Sequence, residues 1–353
     1  MKILIVKLSS LGDVVHALPA VQDIRRAWPE AQIDWVVERS FAPLLQRCDG
    51  LNRVIGCELR RWRQSPLSGQ TRQAWRAFKA ELQREHYDAV IDLQGLTKSA
   101  LISWLARLSP GGKRYGLANQ TEGSSFEAPA RWVADVAVTL APHCHAVARS
   151  RAVCAQALGY ALPSLMSFGL LARMDSTQEA IKIAAIDAAC PNGWVAFVHG
   201  TSRADKQWPL AHWIALGQRL QASGYAVALP HGNDEEQRRA LALASALTHA
   251  VVWPRLALDG LTDALASCAG VVGLDSGLSH IAVALDLAHV QIYNFDTAWR
   301  TGPIDRAQQC SVFAQPTPTV EAVWQAWLAV SAAARAPDRV LAAPAGSTAE
   351  FTL

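Results

Sequence analysis

Three polar loops carry the residue types that could do chemistry. In KLSSLGDVVHALPAV, residues 7–21, one acid, Asp13, follows a glycine between an apolar run and a helix-like one. An acid in that place is either the cap of the helix or a general base aimed at something bound above the strand. In HGTSRADKQWP (199–209), Thr201 and Ser202 are small hydroxyl donors and Lys206 is a point charge near a helix start marked by Pro209. Amides, hydroxyls and a lysine at a helix N-terminus suit phosphate, although capping plus a surface lysine explains this loop equally well. In GLDSGLSHIAVALD (273–286), Asp275, Ser276 and Gly277 form the turn from a strand into an apolar helix, and His280 lies one turn in. Asp275 could be a cap, yet capping needs one polar group and DSGLSH supplies several, so a ligand is favoured. There Gly277 would let the ligand approach the backbone, and Ser276 can donate to a phosphate. The second and third loops together would hold a diphosphate between two helix N-termini and a lysine, and would stabilise charge growing on it as it leaves.

Further residues suggest recognition rather than chemistry. GNDEEQRRA (232–240) follows an apolar run, and an acid just past a strand can bind a ribose diol; Glu236 is preferred over Glu235, though a solvated helix start accounts for both. RRWR supplies Arg60, Arg61 and Arg63, with Arg72, Arg76 and Lys79 beyond, and Lys98 follows in IDLQGLTKSA. Such a cluster suits carboxylates or phosphates. It is too local, and the pI of about 8.5 too low, for a nucleic-acid binder. The chain lacks DxD, GxGxxG and GxxxxGK[ST], which disfavours a metal-bridged sugar nucleotide, a dinucleotide dehydrogenase and a P-loop enzyme.

These loops need strand ends to carry them, and the sequence provides strands in alternation with helices. MKILIVKL, QIDWVVE and DAVIDLQ read as strands; DVVHALPAVQDIRRAWP, RQAWRAFKAELQREH and TKSALISWLARL read as helices. That pattern predicts parallel sheets covered on both faces, with ligands beyond the carboxyl ends of the strands. Periodicity lapses at ALPSLMSFGLLARMDS and restarts with WVAFVHG, YAVALPHG, GVVGL and VQIYNF. The 353 residues thus divide into a first doubly wound domain (1–165), a linker (166–176) and a second doubly wound domain (177–319). A final helix (320–336) is expected to pack back on the first domain, and an Ala/Pro tail (337–353) to be disordered. Trp35, Trp104, Trp194 and Trp213 sit in core-like patterns.

Composition sets the context. The opening run does not read as a signal peptide, no apolar stretch spans a bilayer, and seven scattered cysteines without CxxC pairs predict cytoplasmic, reduced thiols and no zinc site. Residues 1–170 hold 21 Lys and Arg against 14 Asp and Glu; the remainder holds 12 against 16. A basic first half points to an anionic partner, or to a merely solvated positive face.

The stretch KLSSLGDVVHALPAVQDIRRAWPEAQIDWVVE, the loop TSRADKQWP and the segment GLDSGLSH resemble the lipopolysaccharide heptosyltransferases, and SSLGDVVHALPA is most similar to the heptosyltransferase I branch. The resemblance implies the α/β GT-B fold, two Rossmann-like doubly wound domains facing across a cleft. It implies inverting transfer of L-glycero-D-manno-heptose from ADP-heptose to a Kdo residue of Kdo2-lipid A, with no metal or other cofactor. Asp13 matches the catalytic base. Thr201, Ser202 and Lys206 match one donor loop; Asp275, Ser276, Gly277 and His280 match the other. Glu236 falls at the ribose, Leu256 of WPRL against the adenine, and Arg60, Arg61 and Arg63 at the acceptor. Ser202 and Ser276 stand in for threonine, and Leu256 for methionine. Residues 116–131 depart from the family pattern where a further acceptor arginine belongs. The implied setting is peripheral, on the anionic cytoplasmic face of the inner membrane, with no obligate protein partner. Heptosyltransferase II-type transfer to a heptosylated acceptor, a GT-B sugar-nucleotide 2-epimerase, and a non-catalytic nucleotide-sugar scaffold are the alternatives.

Overall fold

The computed structural model describes residues 1–173, 190–201, 203–304 and 306–336. Ser202, the last part of the expected linker, the start of the expected second domain and the tail 337–353 lie outside them.

The β-branched runs form two six-stranded, wholly parallel sheets. The first contains β1 (Lys2–Val6), β2 (Gln32–Glu38), β3 (Arg53–Cys57), β4 (His86–Asp92), β5 (Arg107–Leu117) and β6 (Val136–Val138), in the order β3-β2-β1-β4-β5-β6. The second contains β7 (Trp194–Val198), β8 (Ala226–Leu229), β9 (Ala250–Val252), β10 (Gly270–Leu274), β11 (His289–Tyr293) and β12 (Gln309–Phe313), in the order β12-β11-β10-β7-β8-β9. Each chain path leaves the sheet centre in one direction and then in the other. This creates a switch point between β1 and β4, and again between β7 and β10, where the strand ends diverge and a ligand can enter.

Register pins the central strands: Ile3 lies opposite Ile33 on one side and Ala89 on the other, and Val272 lies between Val290 and Phe197. Helices cover both faces, so β1, β7, β10 and β11 are almost wholly buried, which is why they read as continuous apolar runs. One core cluster joins Val14, Leu18 and Trp35 of the first half to Val271 and Ile281 of the second. The two halves therefore share an apolar seam, along which the first helix (Leu11–Ala27) packs on the helix Gly277–Ala284.

Three expectations change. The last helix, Val320–Arg335, packs on its own sheet rather than on the first domain. Its stripe Val323, Trp327 and Val330 is buried among Val290, Ile292 and Trp213, and Arg219 holds Glu321 at 2.5 Å. Trp104 is 62% exposed, whereas Trp35, Trp194 and Trp213 are buried. The cause is the early end of its helix at Leu105: Arg107 already begins β5, a strand hidden in the sequence by SPGGK. The helix of RQAWRAFKAELQREH is Gly69–Leu82, started by Ser68, whose hydroxyl accepts from the Thr71 amide at 3.0 Å. His86 is already strand.

Candidate active site

Loops from both switch points meet in a cavity of about 360 Å³, lined among others by Asp13, Arg149, Lys206, Asp275, Ser276 and Arg300. A smaller cavity of about 150 Å³ shares Asp13, Gly123 and Arg149 and runs on toward Lys7 and Gln94. The described residues of the two halves each supply one cavity carboxylate, Asp13 and Asp275.

Asp13 closes the start of its own helix and also faces the cavity. Its Oδ2 accepts from the Ser10 amide (3.0 Å) and hydroxyl (2.9 Å), closing the first turn of its helix. Its Oδ1 faces the cavity cations, 3.9 Å from Lys7 Nζ and 3.7 Å from Arg149 Nη2. Burial alone would raise the Asp13 pKa, but Lys7, the Ser10 hydrogen bonds and Arg149 together hold it below the usual carboxylate value. The carboxylate stays ionised, one oxygen is fixed, and the other keeps only long contacts. Its loop is clamped from β4: Gln94 Oε1 accepts from the amides of Leu8 (3.0 Å) and Ser9 (3.1 Å).

Asp275 is engaged differently. Lys206 donates to its Oδ2 at 2.5 Å, while His280 Nε2 and the Thr301 hydroxyl each lie 3.4 Å from Oδ1. Burial would raise its pKa; His280 and Lys206 overcome that and hold it far below the ordinary range. Ser276 begins the helix Gly277–Ala284 without a side-chain capping bond, and its buried Oγ has no partner among the described residues. A buried hydroxyl not spent on its own helix, beside a lysine at a helix N-terminus, is suited to an anion's oxygen.

Glycine brings these helix starts together. A Cβ on Gly12 would come within 2.7 Å of His280, and one on Gly277 within 2.6 Å of Leu11. The missing side chain of Gly277 thus accommodates Leu11 of the opposite half, and Gly277 also lines the cavity, where the sequence suggested ligand access to the backbone.

The remaining sequence candidates separate. Glu236 accepts from the Gly232 amide at 2.7 Å and reaches the β7 end, where a Cβ on Gly200 would meet its carboxyl at 2.6 Å; Glu235 is exposed. Lys98 Nζ donates to Ser9 Oγ at 2.7 Å, beside the Asp13 loop. Thr201 is half-buried but does not line the 360 Å³ cavity, and Leu256 packs on the core cluster that includes Trp253. Arg60, Arg61 and Arg63 are exposed on the helix Leu59–Gln64, outside both cavities, because Trp62 turns inward onto Trp75 and Phe78. Lys7, Gln94, Arg149 and Arg300 were missed. Lys7 gave the one local signal, a lone cation ending an apolar strand.

Comparison with known proteins agrees with this architecture. Residues 75–326 match the model of glycosyltransferase family 9 (heptosyltransferase). The chain belongs to this family. Lipopolysaccharide heptosyltransferase 1 of Pseudomonas aeruginosa is 40% identical over 87% of this chain and 82% of its own length, and that of Escherichia coli K12 is 38% identical over 83% and 88%. Among solved structures, the E. coli heptosyltransferase WaaC with ADP superposes with a TM-score of 0.79 at 33% identity, covering 92% of this chain and 98% of that one. The fold of this family 9 chain is accordingly GT-B, with the cavity at the mouth between its two Rossmann-like halves. Among the described residues, no helix is long and apolar enough to cross a membrane.

Proposed function

We propose that this family 9 enzyme transfers heptose from ADP-heptose to a Kdo residue of Kdo2-lipid A, with inversion at the anomeric carbon. The observation that carries the reading is the pairing of opposite tasks across one cavity. An ionised carboxylate with a loosely held oxygen stands on one wall, and a lysine with a free hydroxyl at a helix N-terminus stands on the other. Asp13 Oδ1 takes the proton of the acceptor hydroxyl as that oxygen bonds to heptose C1. The bond from C1 to the β-phosphate oxygen breaks, and its electron pair leaves with ADP. Lys206, Ser276 and the amides opening the helix Gly277–Ala284 receive the departing charge, so these protein groups take the part a metal plays elsewhere. General-base help supplies roughly 10²–10⁴-fold; apposition of the two substrates supplies more. Glu236 binds the ribose, Leu256 borders the adenine, Thr201 and Ser202 complete the diphosphate loop, and Arg60, Arg61, Arg63 and Lys98 guide the anionic acceptor. The basic half meets that acceptor at the anionic cytoplasmic face of the inner membrane.

The deciding assay incubates the enzyme with ADP-heptose alone, with Kdo2-lipid A, and with a heptosylated acceptor. ADP release only with Kdo2-lipid A is expected. Release only with the heptosylated acceptor, product without any acceptor, or binding without turnover would each replace this reading.

A further inference from the structure

Arg300 enters the cavity from the carboxyl-terminal half but lies over the amino-terminal half. It covers Gly123, whose φ is +67°, and a Cβ built on Gly123 would fall inside the Arg300 guanidinium. The guanidinium has room because residue 123 has no side chain. The short helix Ala298–Thr301 that carries Arg300 is tied across the gap at two more points. The Trp299 ring stacks on His143, with centroids 3.7 Å apart and planes at 21°, and His145 Nε2 lies 3.0 Å from the Gly302 carbonyl oxygen. His143 is itself 2.9 Å from Glu122, the neighbour of Gly123.

The Arg300 backbone amide donates to the Thr297 carbonyl at 3.1 Å, yet among the described residues its guanidinium makes no hydrogen bond or ion pair. Neither cavity carboxylate pairs with it: Asp13 is bonded by Ser10 and faces Lys7 and Arg149 at longer range, and Asp275 is held by Lys206 and His280. A guanidinium offers five donors in a planar fork matched to an oxyanion, so this one is set for an anion arriving with a substrate. Lys206 and Ser276 occupy the wall assigned to the diphosphate. Arg300 instead overlies the wall of Asp13, Gly123 and Arg149, where the attacking hydroxyl must come.

We propose that Arg300 binds the carboxylate of the acceptor sugar, which is an acidic sugar in the reaction proposed above. Because the opposite half carries it, the acceptor site is complete only while the two halves are apposed through Trp299–His143 and His145–Gly302. The inference rests on that reading of the reaction.

The test compares wild type with Arg300→Ala and Arg300→Lys, measuring KM for a Kdo acceptor, KM for its carboxyl methyl ester, and ADP affinity by calorimetry. A charge-assisted bidentate bond corresponds to a rise in acceptor KM of roughly 10- to 100-fold in Arg300→Ala, with ADP affinity unchanged and partial retention in Arg300→Lys. Methyl esterification should cost wild type a similar factor and add little in Arg300→Ala, a coupling that a merely structural role would not produce. Gly123→Ala, which displaces the guanidinium, should act in the same direction. An unchanged acceptor KM overturns the proposal, and so does a loss of ADP affinity, which would place Arg300 on the donor phosphate. If wild type itself shows no acceptor-dependent ADP release, the reading of the reaction fails first; wild-type turnover with an insensitive Arg300→Ala removes only this residue's role.

Discussion

The two halves each place a carboxylate beside a lysine at the cavity, and they use the pair in opposite ways. Asp13 is 35% exposed and stands 3.9 Å from Lys7, whereas the Asp275 side chain is 8% exposed and holds Lys206 at 2.5 Å. In the amino-terminal half the cations are near enough to keep the acid ionised and too far to occupy its outer oxygen. In the carboxyl-terminal half the contact is direct, and three further polar groups crowd the same carboxylate. The same residue types thus leave an open carboxylate oxygen in one place and a direct ion pair in the other. Distance and saturation decide the role, not the presence of an acid.

That contrast is most sharply tested at Asp13. Asp13→Asn retains the shape and an oxygen that can still accept from Ser10, but removes the base. Turnover should fall by roughly 10²–10⁴-fold with ADP affinity nearly unaltered, measured by ADP release and by calorimetry. Wild-type kcat in this variant would reduce Asp13 to a helix cap. Lys206→Ala attacks the other half. It removes the cation from the donor wall and leaves Asp275 with weaker partners, so kcat/KM should drop about 10- to 100-fold with poorer ADP binding. Unchanged kinetics would take Lys206 out of the site. The pair also has a pH signature. The depressed Asp275 value means that its contribution to stability is complete above the ordinary carboxylate value of 3.8 and fades only as pH falls through the lower folded value.

A smaller effect separates the two halves by pH. Because Lys7 depresses Asp13, the acid limb of kcat/KM should lie below that of an ordinary carboxylate in wild type. Lys7→Met should move that limb toward higher pH while sparing ADP affinity. A limb that stays in place would show that Lys7 does not tune the base.

How much of this was legible in the sequence follows from how locally each feature is encoded. The buried central strands were visible because helices on both faces leave them uniformly apolar. β3, β5, β6, β9 and β12 lie toward the sheet margins and are short, half-exposed or interrupted by glycine and arginine, so they carry no continuous apolar run. Asp13, Lys206 and Asp275 were found because each adjoins a strand end and a helix start within a few residues. Arg149 and Arg300 had no such marker: one sits inside a helix and the other on a four-residue turn of helix, and only tertiary packing aims them at Asp13 and Gly123. RRWR is oriented by its one apolar residue. Its arginines form a conspicuous cluster, but Trp62 is the buried residue that orients the helix, and it turns them away from the cavity.

The smallest effect concerns the adjacent acids of the donor half. Glu235 and Glu236 are indistinguishable in sequence, but the helix Asp234–Ser245 turns only one of them back toward the strand ends. Glu236 receives the Gly232 amide and its own amide donates to Asn233 Oδ1 at 2.9 Å, so it is fixed in the first helical turn with its carboxyl beside Gly200. Glu235, one residue earlier, is rotated about 100° around the helix axis and faces solvent. Of the two, only Glu236 therefore presents its carboxyl at the end of β7, where the proposed ribose site lies. Glu236→Gln keeps one acceptor oxygen, so ADP affinity should fall only roughly 3- to 10-fold, the ~0.5–1.5 kcal/mol of an ordinary hydrogen bond. Glu235→Gln should leave affinity within error of wild type. Calorimetry with 2′-deoxy-ADP sharpens the comparison: removing the 2′-hydroxyl should cost wild type and Glu235→Gln alike, and cost Glu236→Gln little more. Equal sensitivity in both variants would mean that the carboxyl beside Gly200 serves the loop and not the nucleotide.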